Sequence, residues 1–221
     1  SVVKALASAK HNFSSVEASL VKAKPFTGPQ IGFKIKTRSL LSKSLSQLEI
    51  VGTTEVKEGM LFRLIMQHQQ GSYHMQAIVV SIVPTIKLWI DHTHEDRFID
   101  SKISGLMGPS GTRIVSEQAQ DVLVVADDTM LPWVVAAAEM MKRTGGVFSL
   151  MYNGTLPECL YDLSDHLVKE VPEKADILYC MSVDQMKKAH QLIGHEKRSY
   201  QAVVSGDLMC MLKGVCAQCV Q

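Results

Sequence analysis

Three cysteines, Cys210, Cys216 and Cys219, crowd the C-terminal end of this 221-residue chain. A Cys-x-x-Cys pair with a third thiol a few positions upstream can bring three thiolates to one centre. That is the donor chemistry of an iron–sulfur cluster or a zinc ion, each of which takes four ligands. Five residues, Met211 to Val215, separate the first two cysteines. The plant-type cluster motif has four there, and a fourth ligand would have to lie past Gln221. A dithiol redox pair and free thiols remain open readings of the same residues. Cys159 and Cys180 stand apart and read as buried apolar side chains.

A second place for chemistry is Asp127-Asp128-Thr129, which follows the apolar run Val122–Ala126 and precedes Pro132. Strand, turn and helix in that order are where dinucleotide-binding folds seat a pyrophosphate, on glycines that let the backbone approach. No glycine stands between Ala126 and Pro132, and two carboxylates do. They read as caps of the following helix, opposing its dipole, and they predict weak or absent NAD(P)H binding. His92 and His94, among Asp91, Glu95 and Asp96, could hold a cation adventitiously but read as a solvated polar loop. The chain carries no Gly-x-Ser-x-Gly elbow, Walker loop, HExxH or nucleophile–base pair, so hydrolase and kinase chemistry have no footing. No residue is assigned a catalytic role.

The elements that would position these residues can be read from periodicity. Residues 1–24 repeat apolar positions at helical spacing (Val3, Leu6, Ala7, then Phe13, Val16, Leu20). Gly28-Pro29 and the serine-rich stretch Ser39–Ser46 read as a connector. Alternation begins with Leu61, Arg63, Ile65 and Gln67. Ala77–Ile82 and Ile86–Ile90 form a strand–turn–strand pair about Pro84-Thr85. Ile99–Met107 leads to Gly108-Pro109-Ser110-Gly111, expected as a turn ending the β-rich unit. Strands at Val122–Ala126, Val147–Tyr152, Ile177–Met181 and Gln201–Ser205 then alternate with helices at Pro132–Arg143, Leu160–Lys169 and Val183–Ile193. The Met-rich stretches Met140-Met141 and Met181–Met186 fall at core positions.

The expected fold class is α/β: a small antiparallel β-barrel-like unit, then a Rossmann-like parallel sheet covered by helices on both faces. The expected ranges are an N-terminal helical segment and connector over 1–47, a β-unit over 48–116, a nucleotide-type domain over 117–207 and a cysteine-rich tail over 208–221.

A net charge of +1, with lysine and arginine spread along the chain apart from a mildly basic stretch at Lys34–Lys43, gives no case for nucleic acid or an anionic membrane. The longest apolar runs are too short to span a bilayer. An odd set of five cysteines, clustered rather than spread, points to a reducing, cytoplasmic compartment. The opening Ser1-Val2-Val3-Lys4 lacks an initiator Met and a signal-peptide pattern, so a processed chain or part of a larger protein is expected.

The order of these features resembles the ferredoxin–NADP reductase superfamily. Within it, the chain is similar to the electron-transfer subunit of dihydroorotate dehydrogenase and to modules fused to glutamate-synthase-small-subunit-like flavoproteins. The likeness runs over roughly residues 60–219. Gly108-Pro109-Ser110-Gly111 sits where the family turns from barrel to nucleotide domain. Val122–Val125, the turn with Thr129, and Pro132 sit where it has a strand, a glycine-rich loop and a proline-started helix. Cys210, Cys216 and Cys219 sit where the subunit holds its cluster. The opening through Ser8 looks like the closing segment of the fused flavoprotein domain.

The resemblance implies an oxidoreductase module that passes electrons between pyridine nucleotide or flavin and an iron–sulfur centre. It implies FAD and a 2Fe–2S cluster as cofactors, and a larger flavoprotein or partner subunit. It assigns Gly108, Pro109, Gly111, Thr129 and Pro132 to cofactor binding and the three cysteines to the metal. The chain departs from the family in two ways. It lacks the Arg-x-Tyr/Phe-Ser/Thr and Pro-Gly-Gln-Phe flavin anchors, offering only a glutamine- and histidine-rich piece between Phe62 and Ala77, and its nucleotide loop has no glycine. A degenerate reductase fold kept for docking or assembly is the alternative these departures favour.

Overall fold

In a computed structural model the chain divides into two compact units, Ser1–Ile114 and Val115–Gln221. The structure describes residues 33–52, 55–111, 114–115, 118–193 and 200–203, and every statement below concerns these. The expected N-terminal helix and the cysteines Cys210, Cys216 and Cys219 lie outside the described residues.

The first unit is an antiparallel sheet of β1 (Lys34–Leu40), β2 (Leu45–Val51), β3 (Leu61–His68), β4 (Gly71–Ser81), β5 (Ile86–Asp91) and β6 (Lys102–Ser110). Their order across the sheet is β1-β2-β5-β4-β3-β6, so β6 returns past two hairpins to pair with β3. Alternation sets the buried face. Phe62, Leu64 and Met66 of β3 point into the core with Met75, Ala77 and Val79 of β4 and Leu88 and Ile90 of β5. The alternation read at Leu61, Arg63, Ile65 and Gln67 falls on this strand, on the other set of positions, of which Arg63 is buried. On β6 both Ile103 and Leu106 reach the core despite an odd spacing, because Ser104 is an extra residue on β6: Ile65 and Met66 of β3 face Gly105 and Ile103. Phe33 closes the core edge-on against Phe62, ring centroids 4.9 Å apart.

Ser39–Ser46 is not a connector. Its ends belong to β1 and β2, and Ser42 Oγ accepts from the backbone N–H groups of Ser44 and Leu45 to turn the chain between them. Short serine side chains that bond to nearby backbone make such turns.

The segment joining β5 to β6 holds a second difference. His92 is buried rather than solvated: its ring stacks on Phe98, centroids 4.5 Å apart, and its Nε2 lies 3.1 Å from Ser46 Oγ. Arg38 is buried beside it, its guanidinium 4.1 Å from the Phe98 ring centroid. It donates to the carbonyls of Phe98 and Ser101 at 2.7 and 2.9 Å, bonds that link β1 to this segment. His94 is exposed, as expected.

Burial holds the His92 imidazole below its ordinary range; the Arg38 cation adds to this and Asp91 opposes it. The unfolded chain therefore binds a proton more readily than the folded one, and stability rises with pH through this window. Stability that is full above the ordinary histidine range, near pH 6.5, is lost as the pH falls through the lower folded value. The urea midpoint of the protein should fall between about pH 7 and 5, and His92→Gln, which keeps a hydrogen-bonding side chain, should flatten that slope. An unchanged slope in the variant would assign the effect elsewhere.

The second unit is a parallel sheet of β7 (Asp121–Asp127), β8 (Val147–Asn153), β9 (Asp176–Cys180) and β10 (Tyr200–Val203), in the order β10-β9-β7-β8. Helix α1 (Leu131–Thr144) joins β7 to β8, and α2 (Val183–Ile193) joins β9 to β10. β7 is central and apolar on both faces, as a strand in a covered parallel sheet must be. Leu123 and Val125 pack with Ile177 and Tyr179, against which Met186, Ala189 and Ile193 of α2 lie. Gly145, at φ +74°, ends α1 in the left-handed conformation that side chains resist.

No α-helix forms over 160–169. A 3-10 segment spans Glu158–His166, and the chain then extends, Val168 donating to the Leu150 carbonyl at 2.9 Å and Leu167 forming a single parallel bridge to Leu150. Asp162, Ser164 and Asp165 offer the backbone competing bonds that weaken an α-helix there. No helix among the described residues is long and apolar enough to cross a membrane.

Candidate functional site

Open parallel sheets bind ligands at the carboxyl ends of their strands, where the connections diverge to opposite sides. In the second unit that place is the end of β7, which runs on through α1 to β8 on one side and lies beside β9 on the other. The residues there are Asp127, Asp128 and Thr129, with Tyr152 and Gly154 at the end of β8.

The two carboxylates have different employments. Asp127 caps a 3-10 turn over Asp128–Met130, and its Oδ1 accepts from the Thr129 backbone N–H at 2.9 Å and from the Thr129 hydroxyl at 2.5 Å. The helix itself starts after Met130, whose side chain makes no cap bond. The expected capping role thus belongs to Asp127 and to the turn before the helix. Asp128 reaches sideways: the Tyr152 hydroxyl donates to its Oδ1. The position a Cβ would take on Gly154, at φ +148°, lies 3.2 Å from the same oxygen. Burial, then the bond to Asp128, push the Tyr152 phenol well above its usual range.

This arrangement can be tested against the phosphate of a dinucleotide. Such a group needs free N–H and hydroxyl donors and backbone that can come close. The donors that the turn offers at Thr129 are already held by an internal carboxylate, and a second carboxylate lies beside them. The residues of this turn do not fit a pyrophosphate.

Cys180 is buried at the end of β9, and burial with the nearby Asp127 raises its thiol far above the ordinary range. It is inert packing, as expected. Cys159 is half-buried rather than buried, its thiol raised by the same cause. Pro132 is buried in the first turn of α1. Among the described residues no group of three His, Cys, Asp or Glu side chains converges on a metal position.

In the first unit Gly108, Pro109 and Ser110 are the last residues of β6 rather than a free turn. Gly108 has φ +130°, and a Cβ there would stand 2.8 Å from the Leu61 carbonyl oxygen. Gly111 has φ +86° and open space around it. The piece between Phe62 and Ala77 is one continuous hairpin, paired from Leu61–Ile78 to His68–Gly71. Two residues, Gln69 and Gln70, turn it. The Arg-x-Tyr/Phe-Ser/Thr and Pro-Gly-Gln-Phe patterns are absent from this hairpin. Tyr152 and Gly154 belong to no sequence motif; a tyrosine and glycine at the end of the strand next to the phosphate-type turn are the signal that points to them.

An antiparallel half-barrel together with a Rossmann-like parallel sheet defines the ferredoxin–NADP reductase-like fold. No family model and no curated protein matches the sequence. Solved structures do match its fold. A ferredoxin NADP+ reductase from Neisseria gonorrhoeae, determined with FAD and NADP bound, is 14% identical, with a TM-score of 0.56 over 80% of this chain and 99% of that one. The NADH-dependent reduced ferredoxin–NADP oxidoreductase is 16% identical, with a TM-score of 0.57 over 84% of this chain and 80% of that one. The flavohemoglobin of Malassezia yamatoensis, determined with FAD and heme, is 13% identical at a TM-score of 0.55; 77% of this chain spans 59% of its length.

Proposed function

We propose that the chain is an electron-transfer module of the ferredoxin-reductase type within a larger flavoenzyme. It would connect flavin or pyridine nucleotide with an iron–sulfur centre to which Cys210, Cys216 and Cys219 contribute ligands. The observation that carries this reading is the pairing of half-barrel and parallel sheet in one chain, a likeness that spans almost the whole of a ferredoxin NADP+ reductase. The cysteine spacing extends it toward the electron-transfer subunit of dihydroorotate dehydrogenase and the modules fused to glutamate-synthase-small-subunit-like flavoproteins. A larger flavoprotein is the proposed partner, and the cytoplasm the proposed compartment.

Two observations favour a second reading, a reductase fold kept for docking or assembly and without its own redox chemistry. The hairpin between Phe62 and Ala77 lacks the flavin-anchor patterns, and the phosphate turn is filled by its own carboxylate. The visible spectrum of the protein, purified anaerobically and extended past Gln221, separates the two. A flavin band or a broad iron–sulfur absorbance, with matching iron content, supports electron transfer. A colourless protein without iron or zinc removes the cluster, and leaves the docking role.

A further inference from the structure

We propose that Tyr152 is a positioning residue that acts through Asp128, and that the pair keeps phosphate ligands off the end of the parallel sheet. The inference rests on the reading of the β7 turn as a nucleotide site closed by its own side chains. Asp127 alone accounts for the engaged donors of Thr129. Asp128 does no work for the turn, yet it is fixed: the Tyr152 hydroxyl donates to its Oδ1, and a Cβ on Gly154 would stand 3.2 Å from that oxygen.

An exposed aspartate on a turn would ordinarily swing into water, where its charge is screened. Tied between β7 and β8, this one keeps its charge at the mouth of the site. The phenol can only donate here, because its proton is held by burial and by the carboxylate itself. Burial, then the bond to Asp128, hold the Tyr152 phenol neutral.

Tyr152→Phe removes the donor and keeps the ring; Asp128→Asn removes the charge and leaves an acceptor for the phenol. Isothermal titration with inorganic pyrophosphate and with NADH is made on the full chain and on the two variants and their combination. Circular dichroism verifies that each is folded. The expected result is tenfold or greater strengthening of binding in Asp128→Asn and a smaller gain in Tyr152→Phe. The double variant should match Asp128→Asn within about threefold, since a residue acting through Asp128 has nothing to act on without it.

The Tyr152 ring carbon bearing the hydroxyl, followed by NMR against pH, should titrate at lower pH in Asp128→Asn. A purely steric tyrosine would not move in that way. The proposal is overturned if Asp128→Asn gains nothing, if Tyr152→Phe equals the parent while Asp128→Asn gains, or if the two gains multiply. Micromolar NADH binding by the unaltered chain would be a different failure, because it overturns the closed-site reading itself.

Discussion

Gly108→Val should destabilise the first unit by roughly 2–5 kcal/mol, the sum of a strained backbone and an overpacked neighbour. At φ +130° a β-branched residue is outside its allowed regions. Its Cβ would also stand 2.8 Å from the Leu61 carbonyl oxygen and 3.1 Å from Phe62 Cδ1. The oxygen belongs to a strand that pairs with both β4 and β6, so it cannot yield without disturbing the sheet. Gly111→Val meets the strain but no clash, and should cost only about 1–3 kcal/mol. Chemical denaturation of both variants gives the ranking. Equal losses would mean that crowding at Gly108 contributes nothing.

The second large effect is on ligand affinity. NADH and NADPH should bind weakly or not at all, and Asp127→Gly together with Asp128→Gly should partly restore binding. Two like charges about 4 Å apart repel by about 1 kcal/mol in water and several-fold more where solvent is partly excluded. Facing both carboxylates, a pyrophosphate forfeits several kcal/mol, or a few orders of magnitude in affinity. Removing Asp127 has a second benefit, because the Thr129 N–H and hydroxyl become available to the ligand. Calorimetric titration decides the matter. Micromolar binding by the parent chain would refute the charge argument, and no recovery in the double variant would locate the loss in something other than charge.

What could be read from sequence was the part governed by unbroken apolar pattern. Val122–Ala126 is apolar without interruption because both faces of β7 are covered, and Pro132 with Gly145 brackets α1 by backbone chemistry alone. Where a polar residue is buried by distant partners, the pattern misleads. Ser46 and His92 are far apart in sequence and bond only once β2 and β5 pair in register. Serines read as a connector and a histidine read as solvated are one feature seen from two strands. Arg63 stands in an alternating stretch, and the folded sheet buries it. At the candidate site, the carboxylates of the turn were legible. Their division of labour was not, because Tyr152 enters from a neighbouring strand.

The lone bridge between Leu150 and Leu167 marks a place where the parallel sheet is nearly finished but not extended. Beyond β8 the chain contributes one rung and turns away, leaving 154–175 as 3-10 segment and loop rather than strand and helix. A segment with so small a share in the ladder is held by its side chains instead: Leu156, Leu160 and Ala175 are buried, and Val168 and Val171 pack against the core that Leu123, Val125, Ile177 and Tyr179 form.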